Sequence, residues 1–512
     1  MSPAPSPHQD PTSRPVDTSR AVHDAVIVGA GFGGMGAAIA LRRLGYDDLV
    51  ILDREDDLGG TWHVNHYPGL AVDIPSATYS YSFAPNPYWS RMYAPGAELK
   101  QYASHVAQRF DLRRHMRFGV TVTRATWDDE TCTWTVTLAD GETVEGRLLL
   151  TATGFLSQPR LPDIPGIESF TGTVIHTAAW DDDHDLTGER VAVIGTGATA
   201  VQLIPEIAPR TADLTVYQRT AIWVTPKADG PVPRALQRLY ARVPLSQRVA
   251  RGIGSGVLET IMVTGVLQYR RLGFLNRLAA RTATRHLHRQ VPDPELRRQL
   301  TPDYSFGCKR PTFSNTYYPT FNRPDVHLET TSIDHVDATG IVTTDGRRRD
   351  IDTLVLATGF DLWDANFPAF TVEGVDGADL GSFWREQRFQ AYQGVSVPGF
   401  PNFLSLNSPY SYSGLSYFTT IESQMKHMTR LLREVQRRGA RRFEVTPQAN
   451  ARFLARMKHR LQSSVFINGS CATSRSYYFN QHGEATLLRP TSTANAFREA
   501  GRFPLTDYDI AA

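Results

Sequence analysis

A chain of 512 residues is too long for one ordinary hydrophobic core, so two or three domains are expected. Hydrophobic residues make up 41% and charged residues 21%, the balance of a globular protein in water, and a formal net charge of +2 gives no general affinity for nucleic acid. The three cysteines, Cys132, Cys308 and Cys471, lie far apart and form neither a C-x-x-C pair nor a metal-ligand set, which points to a reduced, cytoplasmic chain without disulfides or metal.

The first 22 residues are rich in Pro and Ser and contain no apolar run, so they read as a disordered lead-in rather than an export signal. Strand, tight turn, helix and strand follow. Val26–Val28 leads into Gly29-x-Gly31-x-x-Gly34, with Gly33 inside the loop and small residues after it, and Leu49–Leu52 is the next strand. Asp53 ends that strand about 20 residues beyond the loop, where a carboxylate meets a ribose hydroxyl. The complete unit suits the ADP half of FAD, its pyrophosphate facing backbone N–H groups at the helix N-terminus.

The next stretch, from Gly59-Gly60-Thr61-Trp62 through Tyr67-Pro68-Gly69 to Asp73 and Tyr79, has no strand or helix periodicity and reads as a structured, site-lining loop. The apolar run at 148–155 stops at Thr-Gly-Phe, and so does the run at 353–360, where the chain can turn close to a cofactor or cross to another domain. Between them, Phe170-x-Gly172-x-x-x-His176-x-x-x-Trp180-Asp181 precedes a second dinucleotide unit, Gly195-Thr196-Gly197-Ala198-Thr199-Ala200. Its second strand, Leu214–Tyr217, ends in Gln218-Arg219-Thr220 without a carboxylate. Arg219 can pair with a 2′-phosphate that an acid would repel, so this loop should take NADP rather than NAD.

From 230 to 303 the pattern becomes arginine-rich and helical. One reading is an insertion with a solvated basic face; the sharper one is peripheral contact with anionic membranes. Ile253–Leu267, the longest apolar stretch, is too short and interrupted to span a bilayer and is expected to be a buried helix. Lys309-Arg310 follows a glycine and cysteine; by itself such a pair is ordinary solvated charge. An amphipathic helix should begin near Tyr417.

Jointly, G-G-T-W-x-x-N-x-Y-P-G with the following D-x-P-S, the F-x-G-x-x-x-H-x-x-x-W-D segment and G-C-K-R, set around two dinucleotide loops, resemble the type I Baeyer–Villiger monooxygenases from about residue 23 to 510. The resemblance implies an α/β protein with two Rossmann-like domains: FAD-binding at 23–158 and 361–512, NADP-binding at 159–229 and 304–360, and the helical insertion at 230–303. It implies FAD contacts from Gly29, Gly31, Gly33, Gly34, Asp53, Gly60, Thr61, Trp62, Asp73, Tyr79, Val122 and Tyr417. NADPH contacts would come from Gly195, Thr196, Gly197, Ala198, Thr199, Arg219, Thr220 and Lys309, and from Arg310, which also reaches the flavin. The implied reaction uses NADPH and O2 to insert one oxygen beside the carbonyl of an apolar ketone, through a flavin peroxide, giving an ester or lactone. Arg310, held by Asp73, would stabilise the anions formed, while Phe170, Gly172, His176, Trp180 and Asp181 would couple the two domains rather than transfer protons. A related flavin monooxygenase acting on nitrogen or sulfur nucleophiles is the main rival, but it lacks the Trp180-Asp181 ending. A disulfide reductase would need a cysteine pair beside the flavin, and a non-enzymatic FAD redox sensor would not turn over NADPH.

Overall fold

The computed structural model describes residues 22–412 and 414–512, so the expected lead-in lies, except for Val22, outside the described residues. The first βαβ unit comprises the strand His23–Val28, the helix Phe32–Arg42 and the strand Leu49–Leu52. Every residue of that helix from Phe32 to Leu41 is buried. Its run of Gly and Ala leaves no bulk between helix and sheet. The strands pair in parallel, Val26 opposite Val50, and His23–Val28 pairs on its other side with Thr143–Thr151.

These strands form the centre of an eight-stranded sheet. An antiparallel meander, Val122–Asp128, Thr133–Leu138 and Thr143–Thr151, extends it, and Phe403–Ser405 returns late in the chain to pair with the end of Thr143–Thr151. The helix Tyr417–Arg438 begins where the amphipathic pattern places it. A second, five-stranded sheet is parallel throughout, in the order Val326–Glu329, Asp213–Tyr217, Arg190–Ile194, Thr353–Leu356, Thr173–His176. Val191 and Val193 pack into one apolar cluster and Ala192 and Ile194 into another. Both faces are therefore covered, which is why these strands read as continuous apolar runs. His176 ends the edge strand of this sheet, because Val174 and Ile175 favour strand pairing and Ile175 is buried.

Two chain segments cross between the bodies side by side. Thr143–Thr151 and Thr353–Leu356 each run on into Ala-Thr-Gly-Phe, at 152–155 and 357–360. Pro159 then bridges Phe360, with Arg160 N–H donating to Gly359 O at 2.9 Å and Asp361 N–H to Gln158 O at 2.8 Å.

The insertion is helical over Arg234–Arg242, Pro244–Leu258 and Tyr269–Gln290. The buried helix expected at Ile253–Leu267 does not form as such. The α-helix stops at Leu258, a π-helical turn covers Glu259–Thr264, and only the later part (Val263, Val266, Leu267) is buried while Ile253 and Val257 face solvent. A count of apolar residues has no sense of face. Among the described residues no helix is long and apolar enough to cross a membrane.

The expectation of three free thiols is also overturned. Cys308 and Cys471 are joined by a disulfide, with Cα atoms 5.3 Å apart, and Cys132 is free. Ser305 N–H donates to Ser470 O at 2.9 Å and Ser470 N–H to Ser305 Oγ at 3.0 Å, so the late segment folds back onto the earlier loop, a proximity that a separation of 163 residues conceals. With Cys308 and Cys471 bonded, the sparse cysteines no longer indicate a reducing compartment. Alkylation before reduction should label Cys132 alone, and peptide mapping should recover Cys308 and Cys471 as one linked pair; alkylated Cys308 in unreduced protein would remove the bond.

Candidate functional site

A cleft of about 1500 Å³ opens at the C-terminal ends of the parallel strands of both sheets. The two dinucleotide loops face it with the same local design. Gly29 and Gly195 have φ of +112° and +118°, and a Cβ on either would lie 2.5 or 2.4 Å from the carbonyl oxygen of Ala152 or Ala357 respectively. Only glycine fits where each loop turns across a neighbouring strand end. Beyond the turns, Gly31 and Gly197 immediately precede the helices Phe32–Arg42 and Ala198–Ile207 and line the cleft, and a Cβ on Gly197 would meet nothing within 4 Å. Each helix N-terminus thus offers unpaired N–H groups to an anion.

On the larger body the cleft is lined by Asp53, Gly60, Thr61, Trp62, Asp73, Tyr79, Val122 and Tyr417. Asp53 accepts from Ala30 N–H at 2.6 Å and Glu55 N–H at 3.0 Å. Burial raises its pKa, and those two bonds oppose the rise. Trp62 Nε1–H donates to the Tyr79 hydroxyl at 3.2 Å, bracing two aromatic walls. The Tyr417 hydroxyl accepts from Asn407 Nδ2 at 2.7 Å, and burial pushes its pKa up to about 12, so it stays a neutral phenol. Gly33 and Gly34 do not line the cleft. They are buried in the first turn of Phe32–Arg42, where a Cβ on Gly34 would strike Gly29 O.

On the smaller body the lining includes Gly195, Thr196, Gly197, Ala198, Thr199, Arg219 and Thr220, and Thr196 Oγ1 donates to Thr220 O at 2.8 Å. Arg219 and Lys309 share this wall with Arg160 and Arg475. Among the described residues none of the four forms an ion pair. Desolvation lowers the Arg219 pKa, with repulsion from Arg475 and Arg160 adding to it; desolvation and then Arg219 lower that of Lys309. Four cations without a carboxylate make a site whose chemistry matches a phosphate monoester. Arg160 and Arg475 carry no local motif, and only the fold brings them here.

Asp73 and Arg310 meet deep in the cleft. Arg310 Nε–H donates to Asp73 Oδ2 at 2.6 Å, and Nη1–H donates to the Tyr412 hydroxyl at 2.5 Å. Burial works against the charge of Arg310, but the Asp73 carboxylate holds its pKa well above the ordinary value. Burial also raises the Tyr412 pKa, so the phenol stays neutral. The guanidinium has five N–H donors; Asp73 and Tyr412 take one each and Tyr478 also hydrogen-bonds it, which still leaves donors for another acceptor. The Asp73 loop is itself gripped from the smaller body. Gln202 accepts from the Tyr67 hydroxyl at 3.1 Å and donates to Ala71 O at 2.9 Å.

None of Phe170, Gly172, His176, Trp180 and Asp181 lines the cleft. Phe170 and Trp180 are buried in the clusters on opposite faces of the five-stranded sheet. A Cβ on Gly172 would lie 2.3 Å from Asp352 O, and exposed Asp181 caps a turn by accepting from Asp183 N–H at 3.0 Å. His176 Nδ1 accepts from Ala178 N–H at 3.1 Å, and its other nitrogen stands 3.4 Å from Thr358 Oγ1, which donates to Arg160 O. Burial lowers its pKa, so the ring is a neutral brace against the crossing segments. Among the described residues there is no His/Cys/Asp/Glu group able to hold a metal ion.

A family model described as pyridine nucleotide-disulphide oxidoreductase matches residues 26–243, a span whose one cysteine is Cys132. The chain is 38% identical, over 96% of its length and 93% of the relative's, to a protein of Streptomyces coelicolor (strain ATCC BAA-471 / A3(2) / M145) named Baeyer-Villiger monooxygenase. It superposes with a TM-score of 0.85 on oxidized steroid monooxygenase bound to NADP, at 31% identity and covering 96% of this chain and 100% of that one. It also superposes with a TM-score of 0.84 on OTEMO in complex with FAD and NADP, at 28% identity with the same two coverages.

Proposed function

This chain belongs to the Baeyer–Villiger monooxygenases, and from that premise we propose that it uses FAD, NADPH and O2 to convert an apolar ketone into an ester or lactone. The observation that carries this reading is the Asp73–Arg310–Tyr412 constellation in a cleft shared by two dinucleotide loops. Bound FAD, once reduced by NADPH, supplies the electrons that turn O2 into an oxygen nucleophile. Gly31 and its helix N-terminus would hold the pyrophosphate of FAD, with Asp53 at the ribose, and Gly197 with Arg219, Lys309, Arg160 and Arg475 would hold NADPH.

Arg310 supplies a permanent positive charge, because Asp73 keeps it protonated at any working pH. It therefore donates hydrogen bonds to an anionic oxygen without surrendering a proton to it, both to the attacking oxygen and to the ketone oxygen as that becomes negative. Asp73 fixes the guanidinium plane through Nε, and Tyr412 fixes one terminal nitrogen. Phe155, Leu415 and Tyr477 add apolar surface to the same cleft, which suits a ketone with hydrocarbon bulk.

The test is a panel of cyclic, linear, aryl and steroid-like ketones with NADPH and labelled O2. Mass spectrometry should find one labelled oxygen in an ester or lactone. Exclusive formation of sulfoxides or N-oxides from added sulfides and amines would overturn the reading.

Arg219→Ala should raise KM for NADPH about 10- to 100-fold and leave KM for NADH nearly unchanged, the loss of one charge-assisted hydrogen bond of ~1.5–3 kcal/mol. The grip also depends on pH. Lys309 has a lowered pKa, so its charge, and with it NADPH affinity, is lost as pH rises through that value. Removing Arg219 relieves one cause of the lowering and should move this loss to higher pH. Steady-state KM against pH for both proteins checks each part.

A further inference from the structure

We propose that the outer face of the helices Arg234–Arg242 and Pro244–Leu258 docks the protein onto a bilayer surface containing anionic lipids. On the second helix Leu245, Val249, Ile253 and Val257 follow one another at four-residue steps and are 65%, 53%, 65% and 54% exposed. Four-residue steps lie on one helix face, so these side chains form a continuous apolar stripe in water. Exposed Leu239 and Val243 lead into it from the preceding helix and turn. The opposite face is already committed to the protein: Gln247 Nε2 donates to Asn86 O at 2.6 Å and Arg251 Nη1 to Ser80 O at 2.7 Å. The stripe therefore has no partner within the described residues.

Charge identifies the occupant. Residues 231–300 contain thirteen arginines, no lysine and three acidic residues, in a chain whose formal net charge is only +2. Ten arginines between Arg234 and Arg289 are exposed, and among the described residues none of them forms an ion pair. The one acid in that span, Glu259, is turned inward to Thr493, accepting from its N–H and its hydroxyl at 2.7 Å each. An apolar stripe accompanied on its own two helices by the exposed, unpaired Arg234, Arg238, Arg242 and Arg248 matches an interface of hydrocarbon beneath phosphodiester headgroups. A second copy of the chain would set arginine against arginine, and a nucleic acid would leave the aliphatic stripe in water.

The docked face backs onto the cleft. The helix Pro244–Leu258 packs against Ser76–Thr78, and Arg251 holds Ser80, so this helix supports the segment joining Asp73 to Tyr79. Insertion of such a helix reaches roughly 5–10 Å into the headgroup region, which would place the cleft wall beside the phase where apolar ketones concentrate.

The test is co-sedimentation of the full-length, flavin-loaded protein with phosphatidylcholine vesicles and with phosphatidylcholine–phosphatidylglycerol vesicles, at low and high salt. Pelleting with the anionic vesicles alone, weakened by salt, is expected. Ile253→Glu and Arg242→Glu should each lower the bound fraction several-fold while leaving thermal melting and turnover of a water-soluble ketone unchanged. Absence of pelleting would overturn the proposal. So would equal binding by both variants, or sedimentation-velocity evidence that the stripe instead closes a dimer which Ile253→Glu dissolves.

Discussion

Arg310→Ala should abolish ester and lactone formation while FAD stays bound and its reduction by NADPH stays measurable. The guanidinium is the cationic donor held against Asp73, at 2.6 Å, on the wall shared by both loops. Removal of one preorganised donor facing a developing oxyanion typically costs roughly 3–4 kcal/mol of transition-state stabilisation, a loss of at least a hundredfold in kcat. Here the same group serves the attacking oxygen and the ketone oxygen, so the loss should exceed that of a single-purpose donor. Arg310→Lys should restore little, because a point ammonium cannot bond Asp73 and Tyr412 together and still present further N–H groups. The decisive measurement separates the half-reactions: anaerobic flavin bleaching by NADPH, then product yield on mixing with oxygen and ketone. Near-normal yield from Arg310→Ala would refute the assignment.

Asp73→Asn should lower kcat for oxygenation on the order of a hundredfold, with KM for the ketone changed far less. The substitution preserves size but withdraws the carboxylate that orients Arg310 through Nε and keeps it charged. Breaking a fully buried pair costs about 3–5 kcal/mol of stability. The Asp73 side chain is 32% exposed, and a stability loss nearer ~1–2 kcal/mol is expected because water can reach the orphaned guanidinium. Activity should therefore fall much more than the melting temperature does. Equal losses of folded protein and activity would mean that Asp73 merely holds the loop together.

Both dinucleotide units could be read in advance because their constraints are local. A glycine that must turn beneath a carbonyl, a helix of small residues and a strand ending in Asp53 or Arg219 all lie within one short stretch of chain. The site between them was less legible wherever it is assembled from distant segments. Tyr412 carries no local motif and lies 102 residues from Arg310, which its hydroxyl meets only through the fold. Arg475 lies in a C-terminal stretch and Arg160 on a crossing, neither with a local motif; they join Arg219 only through the fold. The disulfide was hidden for the same reason. The four-residue steps from Leu245 to Val257 describe a one-sided stripe, but such a stripe ordinarily faces a core, and only the fold shows it turned to water.

The paired crossing at Gln158–Arg160 and Gly359–Asp361 has a mechanical consequence. Two antiparallel crossing segments joined at one bridge by hydrogen bonds of 2.9 and 2.8 Å resist sliding past one another. Arg219 extends from the smaller sheet, and the Cys308–Cys471 bond ties the base of the Arg310 loop to the C-terminal segment packed in the larger core. Thr312–Phe313 also pairs in parallel with Val224–Thr225, so the segment that carries Arg310 is pinned to the one that follows Arg219. The spacing of the phosphate-binding and oxygen-facing guanidinium groups is thus set by this local pairing, while His176 braces the crossing through Thr358.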